Sequence, residues 1–251
     1  MRSLYLRALN LFDTALSVAF QTECILCGTL SLTLCKNCNG LFSLAPPYCN
    51  HCGDELSQPM ERCSGCLPPV WDVLSGLRSF FWLKGAAREL LLLAKYQRTY
   101  SALRRLWLLC EEHPMVLDNQ WKVGCVVPIP TTPSRFAERG YNCAGWFAEK
   151  VAERWNVSCR YDVLVRRGTP LLQSGLSRKQ RIEKAHAGFQ TTQSRVPLPP
   201  RILLFDDVCT TGATLLACAR LLRKEYPKLE DIYAVTLLRT PPASRLPSQQ
   251  A

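Results

Sequence analysis

The sequence lacks an uninterrupted apolar segment long enough to cross a membrane. The first 22 residues are apolar in part, but Asp13 interrupts them, and no small-residue cleavage site of a secretory signal follows. Apolar side chains recur there at helical spacing, which predicts an amphipathic helix over residues 1–22: Leu4, Ala8, Leu11, Ala15 and Val18. We therefore expect a cytoplasmic protein with no transmembrane segment.

The sequence is also poor in negative charge. It has 20 Asp and Glu against 31 Lys and Arg, a formal net charge of +11. The imbalance lies in residues 121–251, which carry 20 basic and 10 acidic side chains, whereas residues 1–70 carry 4 and 5. A basic half favours anionic partners such as nucleic acid or phosphorylated small molecules, although such charge also serves solubility.

Composition typical of disorder is confined to one end of the chain. Residues 241–251 are rich in Pro, Ser and Gln, and we predict a disordered tail there. The apolar fraction of the whole chain is 47%, which is ordinary for a globular protein.

Cysteine is abundant, with 14 residues, and eight of them form four Cys-x-x-Cys pairs within residues 23–70. Two intervening residues let both sulfurs of a pair face one point, and two pairs supply the four thiolates of a tetrahedral Zn²⁺ site. A disulfide scaffold is the alternative, which a reducing cytoplasm disfavours. The predicted ligands are Cys24, Cys27, Cys35, Cys38, Cys49, Cys52, Cys63 and Cys66.

The predicted metal sites are structural, because four cysteine ligands leave no open position for a substrate. We expect a double zinc ribbon over residues 23–70 with two Zn²⁺ ions. Sequential pairing of the Cys pairs is the simplest arrangement, and an interleaved pairing is also possible. The other six cysteines are scattered along the chain, and we expect them to be small buried residues. A redox role for Cys209 is a weaker alternative.

Beyond residue 71 the pattern is that of an α/β domain. Apolar runs alternate with helical periodicity, which predicts a parallel sheet in a doubly wound domain. Ligands of such sheets bind beyond the carboxyl ends of the strands. The predicted strands are 75–83, 123–127, 160–167, 201–207 and 231–239; the predicted helices are 84–110, a helix that follows a loop within 136–155, and 213–224.

The stretch FDDVCTTGAT at residues 205–214 places two acids at the end of a buried strand and a small, hydroxyl-rich turn before a helix. Backbone N–H groups, threonine hydroxyls and the helix N-terminus together suit an anion, and Gly212 permits close approach of a phosphate. Asp206 and Asp207 suit the vicinal hydroxyls of a ribose, or Mg²⁺ bound through water. The loop therefore predicts a ribose 5-phosphate site.

This motif resembles the 5-phosphoribosyl 1-pyrophosphate (PRPP) loop of type I phosphoribosyltransferases. The resemblance implies a catalytic role for Asp206 and Asp207, and PRPP binding with Mg²⁺ by Thr210, Thr211, Gly212, Ala213 and Thr214. Residues 20–240 as a whole resemble the ComF family, which joins an N-terminal zinc ribbon to a phosphoribosyltransferase fold. The resemblance implies a phosphoribosyltransferase-like domain over residues 71–240.

Three further stretches carry the resemblance to the ComF family: LLLAKYQ at 91–97, VVPIPTTPSRFAERGYN at 126–142, and TPLLQSGLSRKQRIEKAHAGF at 169–189. By position, residues 128–132 correspond to a pyrophosphate loop, and the basic residues 166–188 correspond to a flexible lid. The implied contacts with pyrophosphate or a DNA backbone are Lys95, Arg135, Arg139, Arg178 and Arg181.

Three functions remain open at this stage. The resemblance to the ComF family implies uptake or processing of single-stranded DNA in natural competence, with competence-machinery proteins as partners. A working phosphoribosyltransferase that transfers ribose 5-phosphate from PRPP is the second, although no acceptor site is evident in the sequence. A non-catalytic sensor of PRPP or a nucleotide is the third.

Overall fold

The computed structural model describes residues 24–28, 35–39, 49, 73–97, 99–111, 119–167, 188–192 and 196–240. The predicted helix over 1–22, the tail over 241–251 and most of the predicted lid lie outside the described residues. Three of the predicted metal ligands, Cys52, Cys63 and Cys66, and the predicted cations Arg178 and Arg181 also lie outside them.

A five-stranded sheet forms the centre of the described chain, in the order β1-β7-β6-β2-β3, with every neighbouring pair parallel. Its strands are β1 (Gly76–Trp82), β2 (Cys125–Pro128), β3 (Ser158–Cys159), β6 (Arg201–Cys209) and β7 (Asp231–Arg239). A separate antiparallel pair consists of β4 (Leu164–Arg166) and β5 (Phe189–Thr191). The predicted parallel-sheet α/β fold is confirmed.

Helices connect the strands and cover the sheet. They are α1 (Lys36–Asn39), α2 (Gly85–Gln97), α3 (Tyr100–Glu111), α4 (Pro133–Arg139), α5 (Cys143–Trp155) and α6 (Ala213–Glu225). Side chains of a strand alternate between the two faces of a sheet. On β6, Leu203 and Phe205 accordingly pack with α2, α3 and α5, whereas Ile202 and Leu204 pack with α6. Both faces of β6 are thus buried, as its apolar run over residues 202–205 predicts.

Three sequence predictions about these elements were wrong. The helix predicted over 84–110 is two helices: α2 ends at Gln97, and α3 begins at Tyr100, after the non-helical Thr99. Residues 136–139, predicted as the loop before the next helix, belong to α4, which begins after the N-cap Thr132 and is followed by Gly140 with a φ of 83°. The strand predicted over 160–167 forms only β4, which lies outside the main sheet, and β3 takes the edge of that sheet.

The two strands that flank β6 differ in length: β2 is short and β7 is long. The last residues of β6 therefore have a neighbouring strand on the β7 side but not on the β2 side. Pairing of β6 with β2 ends at Phe205, opposite Pro128, whereas pairing of β6 with β7 continues to Cys209, opposite Arg239. The predicted end of this strand at residue 207 was therefore two residues too early. Asp206 and Asp207 lie within β6, just past the end of β2.

Candidate phosphate cavity and metal site

The first two Cys-x-x-Cys pairs come together in one cluster. The sulfur atoms of Cys24, Cys27, Cys35 and Cys38 all lie within 4.8 Å of one another. A tetrahedral Zn²⁺ with Zn–S bonds of about 2.3 Å needs sulfurs roughly 3.8 Å apart, and Cys27 Sγ lies 3.6 Å from Cys35 Sγ. The four residues therefore fit a metal such as zinc, and the first pair combines with the second, as sequential pairing predicts.

Backbone donors already favour a thiolate in this cluster. Burial raises the pKa of the Cys24 thiol, but N–H groups of Cys35, Leu26 and Cys27 outweigh burial and lower that pKa to about 6. The Cys38 N–H also donates to Cys35 Sγ over 3.4 Å. Cys49, a predicted ligand of the second ion, is buried, while its three partners lie outside the described residues. The number of zinc ions therefore stays a prediction.

A cavity of about 150 Å³ opens where the parallel strands β2 and β6 end. Its walls come from the segment after β2, from strands β4 and β6, and from helices α2, α4, α5 and α6. It therefore lies at the carboxyl edge, where the sequence predicts the ligand. The lining is mostly polar: Lys95, Thr131, Arg135, Arg139, Asn142, Arg166, Asp206, Asp207 and Thr214, with Ile129, Pro130, Ala144 and Val208.

Asp206 and Asp207 both line this cavity, although strand alternation turns them toward opposite faces of the sheet. Asp207 lies on the α2 face, where its Oδ1 is 2.8 Å from Lys95 Nζ. Asp206 lies on the α6 face, and its Oδ1 accepts a 2.8 Å hydrogen bond from the Asp207 N–H. The carboxyl groups therefore stand in different surroundings, one neutralised by a cation and the other not.

These surroundings favour the protonated form of Asp206. Burial raises the pKa of Asp206 to about 8, and the neighbouring Asp207 charge acts in the same direction. The Asp207 N–H, Lys95 and Arg166 act against that rise without cancelling it. A cation bound at the cavity would favour the ionised form, because an opposite charge nearby stabilises a carboxylate.

The predicted phosphate loop follows directly after β6. Gly212 is the residue before α6 and has a φ of 72°, a left-handed conformation that glycine adopts without strain. Thr210 and Thr211 are exposed, and Thr214 lines the cavity in the first turn of α6. The Ala213 N–H donates weakly, over 3.4 Å, to Thr211 Oγ1. The helix N-terminus and the two acids thus meet at one cavity, as the sequence predicts.

Three predicted cations line the cavity from separate elements. Lys95 comes from the last turn of α2, and Arg135 and Arg139 come from α4. The capping of α4 places these arginines: Thr132 Oγ1 accepts from the Arg135 N–H at 3.3 Å, and the Gly140 N–H donates to the Phe136 carbonyl at 2.7 Å. The cavity thus brings these three predicted cations and the two carboxyl groups together.

Sequence reasoning left Arg166 and Asn142 out of the proposed contacts, yet both line the cavity. The Arg166 guanidinium lies 4.8 Å from the centre of the Phe189 ring, across the β4–β5 pair. Burial lowers the pKa of Arg166, and Arg135 lowers it further. Asn142 Nδ2 donates to the Ile129 carbonyl at 2.9 Å and so fastens the segment after β2. The sequence signal for Arg166 was its place at the start of the basic segment 166–188.

Cys209 does not have the properties of a redox-active thiol. It is 3% exposed, and burial raises its pKa to about 11 despite the nearby Arg239. Cys143 is likewise buried, and burial followed by the charge of Asp207 raises its pKa. Both cysteines pack as small apolar residues, which the sequence favours.

The structure defines a parallel-sheet α/β protein with a polar cavity at its carboxyl edge and a four-cysteine cluster. Competence protein F of Haemophilus influenzae is 29% identical over 228 residues, which are 82% of this chain and 92% of that protein. Competence protein ComFC of Streptococcus pneumoniae is 26% identical over 240 residues, 86% of this chain and 100% of that protein. The chain is therefore a homologue of these competence proteins, and the resemblance to the ComF family is confirmed.

Other comparisons are more limited. Adenine phosphoribosyltransferase of a Marinomonas species is 32% identical over 73 residues, 29% of this chain and 41% of that protein. The solved structure of adenine phosphoribosyltransferase from Saccharomyces cerevisiae is 14% identical, with a TM-score of 0.34 over 57% of this chain and 72% of that one. A TM-score of that size carries no argument about function. No family model matches the chain.

The described helices do not include one that could cross a bilayer. Within residues 24–28, 35–39, 49 and the described parts of 73–240, no helix is both long enough and apolar enough to do so.

Proposed function

We propose that the cavity binds the phosphate and ribose groups of PRPP or of a nucleotide. The observation that carries this proposal is the convergence of Asp206, Asp207, the α6 N-terminus and three predicted cations on one cavity. Cations and a helix N-terminus favour phosphate oxygens, whereas carboxylates accept hydrogen bonds from ribose hydroxyls. Mg²⁺ bound with PRPP would neutralise part of the phosphate charge beside the two carboxyl groups.

We further propose that the protein acts in the uptake or processing of single-stranded DNA during natural competence. The names of the two homologues support this role, and so does the basic C-terminal half, since neutralised phosphates dominate affinity for nucleic acid. In this proposal the sugar–phosphate backbone of a strand occupies the cavity that otherwise accepts PRPP. Proteins of the competence machinery are the proposed partners.

A titration of labelled single-stranded DNA with zinc-loaded protein tests the proposal. It is performed at low and high salt, and with and without Mg²⁺ and PRPP. We expect salt-sensitive binding that PRPP displaces, because both ligands need the same cations. Absence of DNA binding at low salt would overturn the DNA role, and binding that saturating PRPP leaves unchanged would show that the cavity is not the DNA site.

An active phosphoribosyltransferase is the second candidate. The 73-residue alignment with an adenine phosphoribosyltransferase and the pair of acids favour it. Here Lys95, Arg135 and Arg139 would hold the pyrophosphate group, and the cavity would hold PRPP in place for an acceptor. Pyrophosphate release from Mg²⁺–PRPP upon addition of a nucleobase would support this function, whereas PRPP binding without release for any nucleobase would contradict it.

A further inference from the structure

Two tyrosines beside the cavity expose most of their side chains. Tyr96, in the last turn of α2, is 64% exposed, and Tyr100, in the first turn of α3, is 56% exposed. Exposed apolar surface beside a polar cavity is a common feature of binding sites. The sequence predicts no function for Tyr100, and Tyr96 enters there only as part of the family motif.

Contacts with partly buried rings hold Tyr100 in place. Its ring meets Tyr141 edge to face at 6.5 Å between centres, and it meets Trp146 in the same manner at 5.8 Å. The indole Nε1–H of Trp146 donates to the Tyr100 hydroxyl, and Tyr141 donates to the Ala94 carbonyl. Tyr100 therefore presents an exposed ring whose position the neighbouring rings fix before any ligand binds. We call Tyr96, Tyr100, Tyr141 and Trp146 the aromatic rim.

The aromatic rim adjoins the cavity through one arginine. The guanidinium of Arg139 lies 5.3 Å from the centre of the Tyr96 ring, and Arg139 also lines the cavity. Lys95, the residue before Tyr96, pairs with Asp207 inside the cavity. Lys150 Nζ lies 5.9 Å from the centre of the Trp146 ring and 3.0 Å from Glu153 Oε2. The aromatic rim therefore has cations beside both Tyr96 and Trp146.

A single strand of nucleic acid has the chemistry that fits a surface with both aromatic rings and cations. Its phosphates carry one negative charge per nucleotide, and its unpaired bases have flat faces that stack on aromatic side chains irrespective of sequence. A double helix would keep its base faces hidden. An acidic peptide could pair with the cations but would supply no flat rings for Tyr96 and Tyr100.

We propose that the aromatic rim stacks the bases of single-stranded DNA while the cations of the cavity hold its phosphates. The inference rests on the proposed DNA role and names the residues that would contact the bases. Tyr96 and Tyr100 make the contact, and Tyr141 and Trp146 keep Tyr100 in position. Because stacking does not depend on base identity, we expect little preference for sequence.

The test compares oligodeoxythymidine with an abasic oligonucleotide of the same length. Tyr96→Ala and Tyr100→Ala should each weaken binding of oligodeoxythymidine by about 10-fold, since stacking of one base on a ring is worth about 1–3 kcal/mol. The same substitutions should leave binding of the abasic strand within about 2-fold, since it has no base to stack. Tyr96→Phe and Tyr100→Phe, which keep the ring, should retain most of the affinity.

Salt dependence separates the rings from the cations. The slope of log affinity against log salt should be unchanged in Tyr96→Ala, whereas Arg139→Ala should reduce it by about one. Tyr161→Ala is the matched control, because Tyr161 is 48% exposed and lies outside the cavity lining. It should bind oligodeoxythymidine like the unaltered protein.

Three outcomes would overturn the inference. In the first, the alanine variants bind oligodeoxythymidine as tightly as the unaltered protein does, which leaves the DNA role itself standing. In the second, they lose affinity for both strands equally. In the third, polyglutamate binds as tightly as oligodeoxythymidine and is weakened by the same substitutions, which would indicate a peptide surface. If the unaltered protein binds no DNA at low salt, the proposed function fails as well.

Discussion

Lys95 Nζ lies 2.8 Å from Asp207 Oδ1, and this ion pair joins the end of α2 to the central strand of the sheet. Both side chains are mostly buried, at 15% and 18% exposure. Removal of Lys95 leaves a carboxylate without its cation next to Asp206. We expect Lys95→Met to lower the free energy of unfolding by about 1–3 kcal/mol at pH 7, measured by urea denaturation.

A double variant tests whether that loss comes from the pair. Lys95→Met combined with Asp207→Asn removes both charges, and its free energy of unfolding should lie closer to that of the unaltered protein than to that of Lys95→Met. A double variant that is less stable than the unaltered protein by the full sum of the two single effects would show that the two side chains act independently.

The raised pKa of Asp206 predicts that stability falls as the pH rises. An aspartate in the unfolded chain ionises near pH 4, whereas folded Asp206 stays protonated until about pH 8. Between these values the folded protein holds the extra proton, so the free energy of unfolding declines with increasing pH and then levels off. Urea titrations at pH 5, 6.5 and 8.5 should show the decline, and Asp206→Asn should reduce it. An equal decline in Asp206→Asn would assign it to another group.

The two acids should be needed for PRPP binding but not for folding. We expect the double variant Asp206→Asn, Asp207→Asn to lose measurable binding of Mg²⁺–PRPP in calorimetry, since neutral amides neither attract the cation nor accept as strongly from ribose hydroxyls. Its circular dichroism spectrum should match that of the unaltered protein. Unchanged PRPP affinity in a folded variant would contradict the assignment of this loop.

Substitution of one cysteine pair should release one metal ion. Cys24→Ser with Cys27→Ser removes two of the four ligands of the cluster, and metal analysis should show about one zinc fewer per chain. Cys159→Ser is the control, because Cys159 lies in β3, outside the cluster, and should leave the zinc content unchanged. Equal zinc content in all three proteins would mean that these cysteines do not bind the metal.

The left-handed conformation of Gly212 should matter for both stability and phosphate binding. Alanine at this position must adopt a φ of 72°, which costs roughly 1 kcal/mol for a residue with a side chain. We expect Gly212→Ala to lower the free energy of unfolding by about that amount and to weaken PRPP binding, because it alters the turn that starts α6. Gly212→Asn provides the comparison, because asparagine adopts the left-handed conformation more readily than alanine and should lose less stability.

The parts of the fold that the sequence predicts well are those buried on both sides. β6 and β7 are continuous apolar runs, and such runs have few structures open to them besides a central parallel strand. The stretch 160–167 was harder because only Val163 and Leu164 are buried among polar neighbours. Arg160 pairs with Asp162 there at 2.7 Å, and the chain then forms β4, which pairs with β5 outside the main sheet.

The other two errors, the break between α2 and α3 and the short helix α4, concern signals between residues that are close along the chain. Between α2 and α3 the helical pattern of apolar residues continues, and no Gly or Pro marks the break. The Thr99 hydroxyl donates to the Gln97 carbonyl, which is a local competitor of helical bonding. For α4 the signals were present: a capping threonine, a proline at the first position and a glycine after the end. Their spacing over seven residues fits a short helix better than a loop.

The acids, the phosphate loop and the Cys pairs could be found from the sequence because their neighbours along the chain are also their neighbours in space. The cavity also needs Arg166 and Asn142, whose positions depend on strand pairing between distant segments. The opposite orientation of Asp206 and Asp207 follows from strand alternation once β6 is known to continue to Cys209.

Because β2 is shorter than β7, the acids and the cations of the cavity are held by different parts of the fold. The two acids lie on β6 where it still pairs with β7, whereas the cations come from α2, α4 and β4, which do not pair with β6. In the proposed function, substitutions among the cations would therefore change which anion the cavity selects without shifting the carboxyl groups. The acids proposed for ribose or metal could stay constant while the cations proposed for phosphate diverge, so that one scaffold could accept either a small metabolite or a polymer.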